Sequence, residues 1–577
     1  MVKILDYLKN RITLQSIPFT DYHSRLMVFY HEHEFHIKLA ESWSEDAALT
    51  FVSWQFVDRS GQPLEVERIE TMPHRVDVFC TSGQFILAFA DLETLLIELP
   101  PQPLGLKLII TGSTIKQDRL GATIDHHDEM PLHLSYTTNA TIVKHKIDPI
   151  ESSLFCHDLY LAPAEDKRTF ILHLTRTSRR NRYIPNPEPI YNANEARWRT
   201  WFSSIPNVPM PYQEQYTFAW WVLGINLIRS YFYPYHDGMI PSKVGYVGIW
   251  NWDSYFHVIA LRHQNIQLAQ DQFRILFDHQ LENGMLPDVV QDNGALSHTR
   301  DYGIDADITK PPLTAWAIWK IYEVSQDKAF LDEMYDRLVR SHRWWSTQHN
   351  AEGFAQYAHP YSSGLDNSPL FDDGLLETPD LTAYLILQSD MLARIASEIN
   401  LVKDSHQWRQ EAENLTQKLI DMRWDADTGL FWPWRDGQAV TIRTPLSLMP
   451  LITGRLPQTI AERLVSNLTD TQQFWGPFPV PTVAIDDPNY DPSTMWRGPV
   501  WININYLLIE GLQRSGFLDI ARQLRQKTLN MILQHNDIYE YYHPINGRRP
   551  PRAVSIFGWS SALFIDLVLQ EVGETSN

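Results

Sequence analysis

Two domains of different class are predicted: an antiparallel β-sandwich at the amino terminus, followed by a toroid of paired α-helices. Three observations predict them. The chain has 577 residues, more than one hydrophobic core can serve. The spacing of apolar residues changes from strand-like to helix-like beyond about residue 185, the first boundary we place. Tryptophan follows the same division, for of 20 residues only Trp43 and Trp54 precede Trp198.

Short stretches rich in Val, Ile, Phe and Thr recur at 48–57, 76–80, 85–89, 106–111, 131–137 and 169–174, separated by polar or Gly/Pro-containing turns. That pattern suits a sandwich of short strands. A polar, proline-containing stretch around 177–187 reads as a linker, with a short helix predicted over 193–203 before Pro206, Pro209 and Pro211. The divisions expected are therefore 1–185, 186–211 and 212–577.

Beyond Pro211, apolar residues fall at three- and four-residue intervals in eleven segments: 213–231, 254–263, 266–281, 313–324, 329–348, 379–400, 405–422, 457–467, 500–514, 518–534 and 559–569. The loops joining them are long and rich in Trp, Asp, Gly and Pro. A plain bundle needs shorter connections, so paired helices around a ring are expected.

Composition narrows the partners. Hydrophobic residues make up 44% and charged ones 20%, as in soluble globular proteins. A net charge of -20 repels nucleic acid and anionic membranes. The start Met1-Val2-Lys3-Ile4-Leu5-Asp6 lacks the apolar core of a signal peptide, and no run of 18 apolar residues spans a membrane. A cytoplasmic location is the expectation. Cys80 and Cys156 form no disulfide framework or metal pattern and are expected as two buried thiols. Asp425-Ala426-Asp427-Thr428-Gly429 and Asp486-Asp487-Pro488-Asn489 read as turns rather than calcium loops. No cofactor or metal is expected.

Two loops carry the chemistry. Ser363-Gly364-Leu365-Asp366-Asn367-Ser368-Pro369 and Tyr539-Glu540-Tyr541-Tyr542-His543-Pro544 each set one carboxylate among turn-forming or aromatic residues. Hydrolysis of a glycosidic bond needs such a pair: one carboxylic acid to protonate the departing oxygen, one carboxylate to activate water or attack the sugar. Neighbouring Glu377 and Asp380 read instead as helix-start acids. Gly245-Tyr246-Val247-Gly248-Ile249-Trp250-Asn251-Trp252-Asp253-Ser254 packs aromatics around Asp253, which either caps the next helix or grips sugar hydroxyls. Trp496-Arg497-Gly498-Pro499-Val500-Trp501 and Asn505 offer a further wall, while Lys310, before Pro311-Pro312-Leu313, is either a site residue or a surface lysine. Loop tryptophans either stack on the C–H faces of sugars or fill interfaces.

In this order, these segments resemble glycoside hydrolase family 63, over about residues 193–570. The resemblance implies an N-terminal antiparallel β-sandwich followed by an (α/α)6 barrel, and inversion at the sugar carbon. It implies Asp366 as general acid, protonated at neutral pH, and Glu540 as an ionised general base. Tyr246, Trp250, Trp252, Asp253, Lys310, Tyr361, Trp496, Arg497, Trp501, Tyr541 and Trp559 become the substrate contacts. Lys310 stands where a neutral Gln is expected, and Met495 where related chains carry Tyr. The expected activity is exo-acting cleavage of an α-glucosidic or α-mannosidic bond in a small oligosaccharide or glycosyl-glycerate. The alternatives are an amylo-1,6-glucosidase-like or trehalase-like toroid enzyme, or a catalytically silent carbohydrate-binding protein.

Overall fold

The computed structural model describes residues 4–40, 50–126, 131–178, 180–229, 235–291, 296–297, 307–350 and 352–575. Trp43, positions 48–49 of the first predicted strand, Arg179 and positions 230–231 of the first predicted barrel helix lie outside them. The chain forms two compact units, Met1–Ile205 with Gly224–Ile228 and Lys243–Gly245, and Pro206–Leu223 with Arg229–Ser242 and Tyr246–Asn577.

In the first unit the strands run β1 (Leu26–His31), β2 (Glu34–Leu39), β3 (Thr50–Val57), β4 (Val66–Met72), β5 (Arg75–Cys80), β6 (Gly83–Asp91), β7 (Thr94–Glu98), β8 (Leu104–Thr111), β9 (Thr114–Asp118), β10 (Gly121–His126), β11 (Leu132–Thr138), β12 (Thr141–Pro149), β13 (Leu154–Ala162) and β14 (Thr169–Thr175). They make two antiparallel sheets, ordered β1-β2-β3-β8-β13-β12 and β4-β5-β6-β7-β14-β11-β10-β9. The sheets stack as a sandwich. Phe56 of β3 lies 3.6 Å, centroid to centroid, from Phe85 of β6. The Tyr136 hydroxyl on β11 lies 2.6 Å from a ring nitrogen of both His145 and His157 on β12 and β13.

The six predicted stretches are β3, β5, β6, β8, β11 and β14, all interior strands. Eight described strands escaped prediction: the edge strands β1, β4, β9 and β12, and the interior strands β2, β7, β10 and β13. β9 (TIKQD) and β12 (TIVKHKIDP) expose most side chains, so no apolar alternation marks them. Cys80 and Cys156 lie on different sheets and are both free; Cys156 is half-buried rather than buried.

Helix α1 (Pro187–Ser203) begins earlier than the predicted 193–203. Asn186 caps it by accepting the Glu188 N–H, and Pro187 fits the first helical position, where no N–H is needed. Tyr191 donates to Glu98 at 2.6 Å and Asn194 to the Phe89 carbonyl at 2.9 Å, fixing α1 on the second sheet.

In the second unit each predicted helix is present: α2 (Met210–Ile225), α3 (Asn251–Leu261), α4 (Ile266–Asp278), α5 (Thr314–Ser325), α6 (Lys328–Trp345), α7 (Pro379–Glu398), α8 (Val402–Arg423), α9 (Gln458–Leu468), α10 (Ile502–Arg514), α11 (Leu518–Leu533) and α12 (Gly558–Thr575). The first ends at Ile225, short of the predicted 231. Successive contacts α3–α5–α7, then the 3₁₀ run Met449–Thr453, then α10 and α12 back to α3 close an inner ring of six elements. Outer helices alternate with these along the chain, giving the (α/α)6 barrel. Burial follows position: every residue of α3 is buried, whereas α4, α9 and α11 bury one face. The sixth inner element escaped prediction because its five residues, MPLIT, are too few for a helical period.

Candidate active site

The amino-terminal ends of the inner helices, and the loops leading into them, enclose a cleft with about 400 Å³ of empty space. Its lining includes Tyr246, Trp250, Trp252, Asp253, Lys310, Asp366, Trp496, Trp501, Glu540 and Trp559, ten of the residues singled out above. Pro241, Gly364, Met495 and Phe557 complete the lining among the described residues. Met495 was noted above as a departure from the family pattern, whereas Pro241, Gly364 and Phe557 carry no polar side chain and were not selected.

Glu540 is 3% exposed. Its Oε1 accepts from the Tyr246 hydroxyl at 3.0 Å and its Oε2 from the Val554 N–H at 3.1 Å. The loop is pinned from behind: Glu540 N–H donates to the Val554 carbonyl at 2.9 Å, and Asp537 Oδ1 accepts from Ile538 and Ile556 at 2.7 and 3.1 Å. Burial pushes the Glu540 carboxyl up to about 8, against the two hydrogen bonds and with a further upward push from Asp366.

Asp366 faces the cleft with 31% of its side chain exposed. Gly364, at φ +76°, turns the chain beneath it; a Cβ there would lie 3.0 Å from the Trp252 ring. The walls desolvate Asp366 and raise its carboxyl above the ordinary range, while Lys310 pulls it down. Burial works against the ionised Glu540 that the resemblance implies. Both carboxyls are raised; Lys310 opposes this at Asp366, and at Glu540, held at about 8, Val554, Tyr246 and Arg549 oppose it.

Lys310 is buried. Burial lowers it, yet the combined field of Asp288, Asp366 and Asp253 holds it above the usual lysine range, so the ammonium persists. Asp253 is driven well above the carboxylate range by burial, although Lys310 opposes this. It is not a helix cap, since α3 starts at Asn251 and Asp253 is its third residue, turned into the cleft.

Indoles form the opposite wall. Trp496 and Trp501 stack at 3.5 Å, Trp559 meets Trp501 edge-on at 5.6 Å, and Phe557 lies 5.2 Å from Trp559. The arrangement offers apolar faces for sugar C–H groups and carboxylates for hydroxyls.

Four sequence-selected residues stand apart from the lining. Tyr541 stacks behind Trp501 at 4.7 Å. Arg497 turns away to pair with Asp372. Tyr361 contributes its carbonyl, which accepts from Lys310 at 2.6 Å, while its ring lies edge-on to His359. Asn505 is buried, accepting from Val480 N–H at 3.0 Å and donating to the Pro479 carbonyl at 2.8 Å. Glu377 and Asp380 also lie outside the lining, paired with Arg423 and Tyr357. Asp425 and Asp487 each accept backbone N–H groups within turns.

Residues 246–560, just over half of the chain, match the family described as the mannosylglycerate hydrolase MGH1-like glycoside hydrolase domain. A mannosylglycerate hydrolase from Thermus thermophilus is 25% identical over 408 residues, 56% of this chain and 95% of that protein. A glucosylglycerate hydrolase from Mycolicibacterium hassiacum is 25% identical over 415 residues, 56% of this chain and 92% of its own length. A bacterial glucoamylase complexed with acarbose, only 11% identical, shares the fold over 96% of this chain and 93% of its own, with a TM-score of 0.62. With the barrel, the cleft and the matched segment coinciding, the chain belongs to the MGH1-like glycoside hydrolases of glycoside hydrolase family 63.

Proposed function

We propose that this protein is an inverting, exo-acting α-glycosidase that cleaves an α-glucosidic or α-mannosidic bond in a glycosyl-glycerate or small oligosaccharide. Asp366 is the general acid and Glu540 the general base. The observation that carries this reading is the placement of both carboxyls on one indole-walled cleft. The relatives named for mannosylglycerate and glucosylglycerate support the substrate class. Two free cysteines suit work in the reducing cytoplasm. We further read 1–185 as the sandwich domain, 186–211 as a linker and 212–577 as the catalytic domain.

Asp366 delivers its proton to the glycosidic oxygen as the bond breaks. Glu540, oriented by Tyr246 and Val554, takes a proton from water on the opposite face of the ring. Because the charge of Asp366 also raises Glu540, the two carboxyls titrate as a pair. The productive form has one proton on Asp366 and none on Glu540. Its rival has the proton on Glu540, so activity peaks between two apparent pKa values, the upper near 8.

The test is a panel of mannosylglycerate, glucosylglycerate, trehalose and α-linked gluco-disaccharides, with the first-formed anomer followed by proton NMR. An α-substrate should release β-sugar. Release of α-sugar removes the inverting mechanism, and turnover of no member removes the substrate class.

A further inference from the structure

Asp288 lies outside the cleft lining, yet it completes a chain of charges running to the reacting acid. Lys310 Nζ is 3.5 Å from Asp288 Oδ1 and 3.6 Å from Asp366 Oδ1. Neither Oδ1 has a hydrogen-bond partner among the described residues. One of the three ammonium protons is committed to the Tyr361 carbonyl at 2.6 Å, which leaves two to be divided between the carboxylates.

Each end of this chain is attached to a different cleft wall. The Asp288 carbonyl accepts from Asn251 N–H at 2.9 Å, the Pro287 carbonyl from Asn251 Nδ2 at 3.3 Å, and Val289 pairs with Trp250 across a short antiparallel ladder. Asp288 is thus fixed to the segment bearing Trp250, Trp252 and Asp253. At the other end Asp366 and Tyr361 flank one tight turn, with Gly364 closed against Trp252.

We propose, resting on the acid role given to Asp366 above, that Asp288 and Lys310 are positioning residues: the Asp288–Lys310–Asp366 chain holds the acid's carboxyl in place and ties it to the loop that carries the aromatic wall. Lys310 so held is shared among carboxylates, which makes it a fixture of the acid rather than a free cation for an anionic substrate.

The two positioning residues act on Asp366 with opposite sign. Lys310 favours its ionised form; Asp288 disperses the Lys310 charge and adds a negative one. Among the described residues, the other titratable groups around Lys310 and Asp366 are Asp253 and Glu540, both raised by burial, with His359 and Tyr246 at their margins. None of these changes in the variants below.

The test is carboxyl-carbon NMR of protein labelled with 13Cγ-aspartate, titrated with pH, the Asp366 signal being assigned by its loss in Asp366→Asn. In Lys310→Gln the Asp366 midpoint should rise by about one pH unit or more. In Asp288→Asn it should fall, and in Lys310→Arg it should stay near that of the parent protein. Midpoints that move in the same direction in the first two variants, or that do not move, overturn the proposal. If Lys310→Gln fails to fold, the isosteric Asp288→Asn decides: an unchanged or higher midpoint overturns it. The acid role is tested separately with α-glucosyl and α-mannosyl fluoride, whose fluoride departs without protonation. Asp366→Asn that turns over a fluoride but no glycoside keeps that role. Inactivity on both removes it, whatever the titrations show.

Discussion

Replacing Glu540 with Gln should abolish turnover and yet make the fold more stable, by an amount that grows with pH. The reasoning is linkage. An exposed Glu ionises near 4.5, whereas Glu540 is held at about 8. Between those values the unfolded chain gives up this proton and the native state keeps it, so rising pH favours unfolding. Below 4.5 the contribution is nil; above 8 it is complete. At about 1.36 kcal/mol per pH unit the interval corresponds to roughly 5 kcal/mol, and relaxation around a 3% exposed group brings the expected effect to about 2–5 kcal/mol. Gln can keep the local hydrogen bonds. Its oxygen accepts from Val554 N–H, and its amide donates to the Tyr246 oxygen, which reverses its own role. The assay is thermal unfolding of both proteins at pH 4.5, 6, 7.5 and 9. The curves should coincide at the lowest pH and separate in favour of Glu540→Gln as pH rises. Parallel curves, or a gap that narrows, would refute the claim that burial lifts this carboxyl.

Three other perturbations have expected outcomes. Tyr246→Phe removes the hydroxyl that stabilises ionised Glu540, so kcat should fall roughly 10- to 100-fold and the upper pH midpoint should rise, read from pH–rate profiles. Gly364→Ala forces a left-handed φ of +76° and sets a Cβ 3.0 Å from Trp252; it should cost about 1–3 kcal/mol in denaturant melts and raise KM. Arg423→Leu strands Glu377, 1% exposed and bonded at 2.6 Å, and should cost about 3–5 kcal/mol at pH 7, with Glu377→Gln in the same chain recovering part of the loss.

The legible parts of this chain were those where local chemistry repeats. The interior strands β2, β7, β10 and β13 were not picked out, whereas the six other interior strands of the sandwich and the amphipathic outer helices carry their periods openly. The edge strands β9 and β12 do not, because a solvated edge needs no apolar alternation. The inner 3₁₀ run Met449–Thr453 does not either, being wholly buried and too short to show a period. At the cleft, Trp252, Trp496 and Glu540 were recognisable from the loops that hold them. Arg497 lies in the same kind of loop, but its guanidinium reaches Asp372 instead, a direction no motif encodes. Asp288 carried no signal. A single Asp between Pro287 and Val289 reads as an ordinary turn until Lys310 is found beside it.

The order of domains, the helical and strand periods, and the acids and indoles available to a sugar were determined by sequence alone, since each depends on neighbours a few positions away. Tertiary structure decided which of those groups face one another and where their protons reside. Closing α12 onto α3 brings Glu540 and its Tyr246 partner to the cleft that Asp366 enters from another loop. The protonation of each acid then follows from the summed desolvation and charge of everything around it. Those sums run over residues hundreds of positions apart, so they exist only once the ring has closed.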